Sequence, residues 1–557
     1  MHGLKIRLIW KKPVIYSQKH NCLIYPKGNP YLQDIKGSRE INGSHIAIPY
    51  SLENCQQIRR VGLRTPAPLE ISGYNYPIRP PWTALAHQKV TANFLALNPH
   101  AFCFNDMGTM KTLSALWAAD FLMGQSNEPF RCLVIAPLSI LRSVWAKHIF
   151  DHFAGKRTYR ILHGDHDKRR RELNVPADFY IINHDGLGCG VPTDPRAKLY
   201  GLAADLVQRT DIKLAIIDEA GAYREQGTRR SRAARSIIGA RPYLWLLTGT
   251  PTPNGPLDAY GLAKLAGTTN GESFRSFQGR TMIHVSQWKW VPRVSAPESV
   301  HRLLSPSIRF SADMLKLPPC TTEQRNIPFS KEQEYAWKKL KKEAVLALQS
   351  GALVHAVNEA ALRLKLIQVA AGVVYDREHT SHDLNPSARL GEVSSIIQET
   401  DRKIVIFAPL TSVLNLLYEK LCAHRGSSNQ PPDGKALPRQ NVVILNGNVP
   451  AKDRVEILRA FGNPNSDLRI CLADPSCTSH GINEFVSAGV CVWYAPTDKN
   501  DLYRQGVKRL DRPGQTGPVK IIQLVSTQLE KDIYNRLDAN ESLQGLILKF
   551  AEGKEGK

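Results

Sequence analysis

The stretch NDMGTMKT, residues 105 to 112, contains residue types that could bind phosphate. The usual phosphate-binding loop reads G-x-x-x-x-G-K-[ST]. Its backbone N–H groups contact phosphate oxygens, its lysine neutralises phosphate charge and its hydroxyl binds Mg²⁺. Here Lys111 and Thr112 fill the last two positions, while Asn105 and Met110 stand at the two glycine positions. The spacing therefore predicts a nucleotide-phosphate site whose loop has lost both glycines of the pattern.

An acidic pair, Asp218 and Glu219, directly follows the apolar run LAII. Nucleotide hydrolysis needs a carboxylate that holds Mg²⁺ and a second group that orients the attacking water. An acidic residue after a strand is also a common helix cap, so the pair alone does not decide the function. With Lys111 and Thr112 on a neighbouring strand, we expect Thr112 and Asp218 to hold Mg²⁺ and Glu219 to orient water.

Two further stretches suit such a site. LLTGTPTPN places Thr248, Gly249 and Thr250 in a turn after an apolar run, although an ordinary Thr/Pro turn has the same composition. QGVKRLDRPGQ places Arg509 and Arg512 three residues apart, on one face if the segment is helical. Arginines that reach a γ-phosphate accelerate its transfer by orders of magnitude. The alternative interpretation is a basic helix on the surface.

Short apolar runs must form the elements that position these residues. AFCF, CLVIAP, FYIIN, LAIID and LWLLTG each end in a polar or glycine turn, and KIVIFAP, NVVILNG, RICLAD, VCVWYAP and KIIQLVS repeat the pattern after residue 400. Such runs, separated by helical segments, predict parallel sheets of an α/β fold. Functional groups in these sheets gather at the carboxyl ends of the strands. RILHGDHDKRRREL followed by FYIIN resembles VILNGNVPAKDRVEIL followed by RICLAD, so we expect two duplicated lobes with a cleft between them.

The chain divides into four predicted segments. Residues 1–76 alternate short apolar runs with turn residues and predict a small β-rich accessory domain, which ends in a helix capped by Ser51. Residues 77–300 and 396–557 are the two predicted lobes. Residues 301–395 are a predicted helical connector, because apolar residues recur there at three- and four-residue spacing.

The charge of the chain indicates its partner. Lys and Arg number 73 against 50 Asp and Glu, which gives a net charge of +23. Such an excess favours nucleic acid. The ten cysteines show no metal-binding spacing and are typical of reduced thiols in the cytoplasm. No apolar run approaches the roughly 20 residues that cross a bilayer, so no membrane partner is expected. Four arginines after the acidic pair could contact phosphate or solvate a helix: Arg229, Arg230, Arg232 and Arg235.

NDMGTMKT, CLVIAPLSILRSVW, IIDEAG, LTGTPTPN, SHGIN and QGVKRLDRPGQ occur in an order that resembles the superfamily-two helicases. The TGTP-N and R-x-x-R-x-G-Q phrases resemble the Swi/Snf-like DEAD/DEAH-box ATPases. The N-terminal region and the stretch AFCFNDMGTMKTLSALWAAD resemble the compact members that bacteriophages encode. The resemblance covers about residues 80–545. It implies two RecA-like lobes that bind ATP and Mg²⁺ between them and nucleic acid across both, in the cytoplasm of a bacterial or phage-infected cell.

The resemblance also implies roles for particular residues. Lys111, Asp218, Glu219, Arg509 and Arg512 would catalyse hydrolysis. The residues implied to bind the nucleotide are Gln88, which would read adenine, and Asp106, Met107, Gly108, Thr109, Met110, Lys111, Thr112 and Gln515. Those implied to couple the nucleotide to nucleic acid are Thr248, Gly249, Thr250, Gly481 and Asn483.

Two residues depart from the family pattern. Met110 stands where the family has glycine, and its side chain crowds the approach of the backbone to phosphate. Met110 would be harmless if the loop entered its helix one residue early and the side chain pointed into the core. Gly221 stands where many members have histidine, a side chain that links the acidic motif to its neighbours. Because the charged residues of the site are all present, we expect an ATP site.

The first interpretation of the function is an ATPase that moves along duplex DNA or remodels branched DNA. The alternatives are a nucleic-acid-binding ATP switch with little turnover and an RNA-directed helicase, RNA being the less expected partner. The sequence does not determine the preferred nucleic-acid structure, the polarity of movement, strand separation, the pathway or the oligomeric state. It also leaves open whether Met110 and Gly221 lower the ATPase activity.

Overall fold

The computed structural model describes residues 15–80, 82–194, 196–253, 255–286, 289–315, 317–349, 356–375, 381–422, 441–478 and 484–539. The chain forms two compact units, Met1–Ser311 and Ala312–Lys557.

The amino-terminal part of the first unit is a four-stranded antiparallel sheet in the order β1-β2-β4-β3. Its elements are β1 (Ile15–Ser17), β2 (Cys22–Pro26), β3 (Arg39–Ile41), β4 (His45–Pro49), α1 (Leu52–Arg60) and α2 (Pro68–Ile71). The side chain of Ser51 accepts a hydrogen bond from the backbone N–H of Asn54 at 3.1 Å. The predicted β-rich character and the predicted helix cap are therefore both confirmed.

The rest of the first unit contains a seven-stranded sheet in the order β13-β5-β10-β9-β6-β8-β7. All its neighbouring strands run parallel. The elements are α3 (Ala86–Leu97), β5 (His100–Cys103), α4 (Lys111–Gln125), β6 (Arg131–Ala136), α5 (Lys147–Phe153), β7 (Tyr159–Leu162), α6 (His166–Asn174), β8 (Phe179–Asn183), α7 (Gly201–Gln208), β9 (Ile212–Asp218), α8 (Arg229–Ile238), β10 (Tyr243–Leu247), α9 (Asp258–Ala266), α10 (Phe274–Thr281), β11 (Met282–Ser286), β12 (Lys289–Pro292), α11 (Ala296–Leu303) and β13 (Ser307–Ile308). Strands β11 and β12 form a separate antiparallel hairpin.

Helices cover both faces of this sheet, as the near-continuous apolar runs predict. In β6, Leu133 and Ile135 belong to the hydrophobic core on one face. Cys132 and Val134, the alternate residues of the same strand, belong to the core on the other face. The first unit is thus a three-layer α/β lobe of the RecA-like type, joined to the small amino-terminal sheet.

The second unit contains a six-stranded sheet in the order β14-β21-β20-β17-β19-β18, again with parallel neighbours. Its elements are β14 (Cys320–Asn326), α12 (Lys331–Gln349), α13 (Ala356–Ala371), β15 (Val373–Tyr375), β16 (Ser381–Asp383), α14 (Ser387–Gln398), β17 (Lys403–Phe407), α15 (Thr411–Cys422), β18 (Val442–Leu445), α16 (Ala451–Gly462), β19 (Ile470–Ala473), α17 (Pro475–Thr478), β20 (Ala488–Trp493), α18 (Asn500–Leu510), β21 (Val519–Val525) and α19 (Gln528–Ala539). The chain therefore has two RecA-like α/β lobes.

The internal repeat read from the sequence has a structural counterpart in each unit. The strand, basic helix and strand of the first copy are β7, α6 and β8, and those of the second are β18, α16 and β19. Each copy lies at one edge of its sheet, with the first strand outermost. The repeat therefore occupies equivalent places in the two lobes.

The predicted segment boundaries remain predictions. Helices α12 and α13 lie in the predicted connector, residues 301–395, but so do β13 of the first sheet and β14 of the second. Among the described residues, no helix combines the length and the apolarity that a membrane span requires.

Candidate functional site

The register of the seven-stranded sheet brings three of the predicted motifs together at the carboxyl ends of its strands. Cys103 at the end of β5 pairs with Leu247 at the end of β10, and Leu247 pairs with Asp218 at the end of β9. The phosphate loop, the Thr248–Thr250 turn and the acidic pair follow these three strand ends. The expectation that the phosphate loop and the acidic pair follow neighbouring strands is wrong, because β10 lies between β5 and β9.

The phosphate loop is fixed by hydrogen bonds to its own backbone. The ammonium group of Lys111 donates to the carbonyl oxygens of Asn105 at 2.8 Å and Asp106 at 3.3 Å. The hydroxyl of Thr109 donates to the carbonyl of Asp106 at 2.7 Å. Gly108 has a φ of 82°, a left-handed conformation that glycine adopts without strain. The lysine therefore lies across the loop, close to the backbone that would surround a phosphate.

Asn105, at the first lost glycine position, has a structural role. Its side chain is completely buried. The Nδ2 amide donates to the hydroxyl of Thr91 at 2.8 Å, and the Oδ1 oxygen accepts from the backbone N–H of Phe310 at 3.0 Å. The side chain thus ties the base of the loop to α3 and to the segment after β13. The Asn105 carboxamide points into the lobe and therefore does not occupy space on the phosphate side of the loop.

Met110 lies at the second lost glycine position and has φ 57° and ψ 46°. This left-handed conformation costs a residue with a Cβ roughly 1–2 kcal/mol. Helix α4 begins at Lys111, one residue later, and Met110 is partly exposed. The alternative in which the helix begins early and the methionine points into the core is therefore wrong. The loop keeps a glycine-like backbone and carries a side chain on it.

The acidic pair lies at the end of β9. Asp218 is buried, and its two carboxylate oxygens accept hydrogen bonds from the indole N–H of Trp145 at 2.9 Å and from the backbone N–H of Glu219 at 3.0 Å. Burial, followed by the neighbouring Glu219 carboxylate, raises the pKa of Asp218 to about 6, while Lys111 opposes this shift. A bound cation would stabilise the ionised form that burial disfavours.

Trp145 is a site residue that the sequence reasoning missed. It belongs to the π-helical turn Leu141–Ala146 that follows β6, and its side chain is completely buried. Its indole fixes the orientation of the Asp218 carboxylate from one side. The only sequence signal was its place at the end of the quoted stretch CLVIAPLSILRSVW.

The turn after β10 lies against the phosphate loop. The backbone N–H of Thr248 donates to the carbonyl of Cys103 at 3.0 Å, and the Thr248 hydroxyl accepts from the N–H of Thr250 at 3.3 Å. A Cβ on Gly249 would lie 3.5 Å from the backbone nitrogen of Met107. The predicted coupling turn is therefore in direct contact with the loop that would hold the nucleotide.

Arg224 fills the space beside Gly221, the position at which the resemblance led us to expect a histidine. A Cβ added to Gly221 would lie 2.6 Å from one guanidinium nitrogen of Arg224. The guanidinium donates to the carbonyl oxygens of Thr250 and Pro251. The missing histidine therefore does not leave the acidic motif without a link to the turn after β10, because Arg224 makes that link. The sequence reasoning considered only residue 221 and missed this arginine.

Gln88 lies in the first turn of α3 and is fully buried. Its Oε1 oxygen accepts from the backbone N–H of Leu85 at 2.9 Å. Its amide nitrogen has no hydrogen-bond partner among the described residues. Buried polar groups are almost always hydrogen-bonded. An amide donor without a partner, in the same lobe as the phosphate loop, is therefore suited to donate to an acceptor on a ligand, such as a purine nitrogen.

The predicted residues of the second unit occupy the end of α18 and the segment that follows it. Arg509 lies in the last turn of α18, which ends at Leu510. Arg512 lies beyond the helix, so the condition that both arginines share a helical face is not met. Pro513 follows Arg512, and a residue before proline disfavours the helical conformation. The Gln515 amide donates to the carbonyls of Ala488 at 2.9 Å and Leu510 at 3.2 Å.

Gln515 therefore binds its own lobe, and its role toward a nucleotide remains a prediction. Gly481 and Asn483 lie outside the described residues.

The four arginines after the acidic pair contact the protein itself. Arg229, Arg232 and Arg235 donate to backbone carbonyls of Val191, Thr193 and Gln226, and Arg230 forms an ion pair of 2.5 Å with Asp185. The bonds to Asp185, Val191 and Thr193 hold α8 against the loop that follows β8, and the bond to Gln226 ties the helix to the segment just before it. Neither of the two interpretations weighed for these arginines included this structural role.

The chain has two α/β lobes, each built on a parallel sheet, and in the first lobe a phosphate loop and an acidic pair follow the carboxyl ends of the strands. This arrangement defines a nucleotide-binding protein of the RecA-like class. Residues 87–370 match the SNF2-related domain family. This match spans half of the chain, and the chain therefore belongs to the SNF2-related family and carries a SNF2-type ATPase core.

The individual relatives share low sequence identity with this chain. The chain is similar to putative protein p41 of Acyrthosiphon pisum secondary endosymbiont phage 1, with 23% identity over 501 residues that cover 85% of this chain and 99% of that protein. It is 22% identical to the human SWI/SNF-related matrix-associated actin-dependent regulator of chromatin subfamily A member 1, over 80% of this chain and 41% of the human protein. The chain thus spans about two fifths of the human relative's length.

Among solved structures, the Sulfolobus solfataricus SWI2/SNF2 ATPase core in complex with dsDNA aligns over 85% of this chain and 94% of that one. The identity is 19% and the TM-score is 0.37.

Proposed function

We propose that this protein hydrolyses ATP when it is bound to DNA and uses the energy to move along duplex or branched DNA. The observation that carries the proposal is the convergence of phosphate loop, acidic pair and coupling turn at one edge of the first sheet, in a member of the SNF2-related family.

The residues at this edge fit ATP with Mg²⁺. Lys111 supplies a positive charge at the loop, Thr112 a hydroxyl at the start of α4, and Asp218 a buried carboxylate. Mg²⁺ commonly binds one or two carboxylates together with the phosphates of its substrate. Glu219 would orient the attacking water, and Gln88 would donate its orphaned N–H to the adenine.

The resemblance to the family implies that Arg509 and Arg512 would also take part in the proposed chemistry. Their charge would stabilise the γ-phosphate as it leaves, the role that arginines have in phosphoryl transfer. Gly481 and Asn483, with Thr248, Gly249 and Thr250, would couple the state of the nucleotide to the bound strand.

Two observations support DNA as the partner. The net charge of +23 favours a polyanion, and the human relative is named a regulator of chromatin. Because such binding releases counterions, affinity for DNA should fall steeply as salt rises. Binding that is insensitive to salt would contradict movement along a phosphate backbone.

The proposal is tested by measuring ATP turnover without nucleic acid and with single-stranded DNA, duplex, forked DNA or RNA. Wild-type protein should respond most to duplex or fork, and Lys111→Ala and Glu219→Gln should abolish turnover while DNA binding persists. ATP binding without turnover would favour the switch, for which the strained Met110 is the supporting observation. Stimulation by RNA alone would favour the RNA-directed helicase.

A further inference from the structure

The hairpin formed by β11 and β12 in the first unit exposes an unusual amount of apolar surface. Ile283, Val285, Trp290 and Val291 are 45%, 58%, 41% and 38% exposed, and Val294, just after the hairpin, is fully exposed. Single exposed apolar residues are normal on a soluble protein. A cluster of five within twelve consecutive residues of one hairpin is the kind of patch that marks an interaction site.

Both faces of the hairpin are apolar. Ile283 lies opposite Val291 on one face, and His284 lies opposite Trp290 on the other. The imidazole and indole rings are 4.6 Å apart, with an angle of 42° between their planes. An isolated two-stranded hairpin is marginally stable in water, and neither strand pairs with the seven-stranded sheet. The fold of this lobe therefore leaves both apolar faces in solvent.

The base of the hairpin is nevertheless fixed. Met282 is buried, and the backbone N–H of Arg293 donates to the carbonyl of Thr281 at 2.8 Å. The guanidinium of Arg293 also donates to the carbonyls of Gly279 at 3.2 Å and Met282 at 3.1 Å. A hairpin with a fixed base can present its exposed side chains in one orientation to a partner.

The charges around the hairpin are mostly positive. Between positions 272 and 303 the acidic residues are Glu272, which forms an ion pair with Arg280 at 2.7 Å, and Glu298, whereas the basic residues are Arg275, Arg280, Lys289, Arg293 and Arg302. Glu298 forms an ion pair with Arg302 at 3.4 Å. An apolar protein partner would not explain this excess of cations, but a nucleic acid would, since it offers both negative phosphates and flat apolar bases.

We propose that this hairpin binds the unpaired strand of a branched DNA, with a base stacked on the Trp290 and His284 face and the neighbouring arginines near the phosphates. The proposal rests on the proposed function and adds the surface that recognises the branch. Every base has a π-face, so stacking on an aromatic side chain is strong and tolerant of sequence. A blunt duplex offers no unstacked base along its length, so the hairpin would separate branched from linear DNA.

The test compares Trp290→Ala, Trp290→Phe and Val285→Ser with Phe150→Ala, a matched truncation of an aromatic residue that is 63% exposed on α5. The dissociation constants for a fork with unpaired arms and for a blunt duplex are measured by fluorescence anisotropy. All variants carry Lys111→Ala, so that binding is read without ATP turnover. Melting temperatures confirm that each variant is folded.

We expect Trp290→Ala to weaken fork binding by about five- to a hundredfold, the range that loss of one stacked base implies, with little change for the blunt duplex. Trp290→Phe should retain most of the affinity, Val285→Ser should weaken fork binding less than Trp290→Ala, and Phe150→Ala should bind like the parent. Wild-type fork affinity in Trp290→Ala, or equal loss for fork and duplex, would overturn the proposal. So would a dimer in sedimentation that Trp290→Ala dissociates while fork binding is unchanged.

Selective loss of fork binding in Trp290→Ala, together with no DNA-stimulated ATP turnover by the protein that retains Lys111, would support the hairpin and reject the ATPase proposal. The two proposals can therefore fail separately.

Discussion

The strained backbone at Met110 gives the most direct test of the phosphate loop. Its φ of 57° lies in the left-handed region, which glycine adopts without strain and a residue with a Cβ adopts only with strain. Met110→Gly removes this strain and the Cβ beside the backbone that would contact phosphate. The strain is roughly 1–2 kcal/mol. If the strain is present in the transition state for hydrolysis, restoring the glycine should raise turnover by roughly five- to thirtyfold, at 1.36 kcal/mol per factor of ten.

The effect on stability should be much smaller than the effect on turnover. Relief of about 1–2 kcal/mol of left-handed strain is offset by the greater freedom of glycine in the unfolded chain, about 0.4–1 kcal/mol. The melting temperature of Met110→Gly should therefore equal or slightly exceed that of the wild type. Turnover and melting temperature together distinguish two explanations of the role of Met110. If its side chain crowds the phosphate, Met110→Gly raises turnover; if the side chain only contributes to packing, Met110→Gly lowers the melting temperature and leaves turnover unchanged.

The assay is steady-state ATP hydrolysis at saturating DNA, with a melting curve for each variant. Met110→Ala is the matched control, because alanine removes the thioether but keeps the Cβ and the strain. We expect Met110→Ala to resemble the wild type and Met110→Gly to exceed both. Adding Lys111→Ala to Met110→Gly should abolish the gain, which shows that it arises at this site. Turnover of Met110→Gly at or below the wild-type rate would refute the reasoning.

Three further predictions concern the same edge and the second lobe. Folding raises the pKa of Asp218 from 3.8 to about 6. The ionised carboxylate therefore lowers the free energy of unfolding above about pH 6, and this destabilisation disappears below pH 3.8, where the group is protonated in both states. Asp218→Asn should therefore abolish turnover yet stabilise the metal-free protein by about 3 kcal/mol at pH 8, with no gain below pH 3.8. An equal gain at both pH values in thermal melts would contradict this. Arg224→Ala should lower the DNA-stimulated kcat about tenfold, since it removes charged hydrogen bonds to the turn after β10. Gly221→Ala should reproduce that loss by displacing the guanidinium and should add nothing to Arg224→Ala, whereas additive losses would disprove the link. Changing Arg509 or Arg512 to Ala should lower kcat by orders of magnitude with a smaller effect on ATP affinity. Collapsed affinity with unchanged kcat would identify them as binding residues.

Much of the architecture was predictable because it depends on local patterns. Apolar runs of four to seven residues, separated by helical periodicity, predict parallel strands buried on both faces, and most strands of both large sheets are of this kind. The two-residue β13 and the polar, largely exposed β14 are not, and no apolar run predicted them. The order of motifs predicted the family, which the match to residues 87–370 confirms. The repeat of strand, basic helix and strand was visible because each copy is continuous in the chain.

Sequence reasoning failed where a residue acts through a partner distant in the chain. Asn105 appeared as a lost glycine, but it bonds Phe310, 205 residues away. Trp145 reaches Asp218 only because β6 and β9 are neighbours in the sheet. Strand order is set by the packing of the whole lobe, so no local pattern could show that β10 separates the phosphate loop from the acidic pair.

The amino-acid sequence by itself determined the residue types of the candidate site: a lysine, a hydroxyl and two carboxylates in the first half, two arginines in the second half, and an overall basic charge. The tertiary structure alone decided how the departures from the family pattern are accommodated. Gly221 is compensated by Arg224 because a short helical turn folds that guanidinium back over it, and Met110 keeps a left-handed backbone because α4 begins one residue later. Residue types are local, whereas the space around a side chain depends on every element that packs against it.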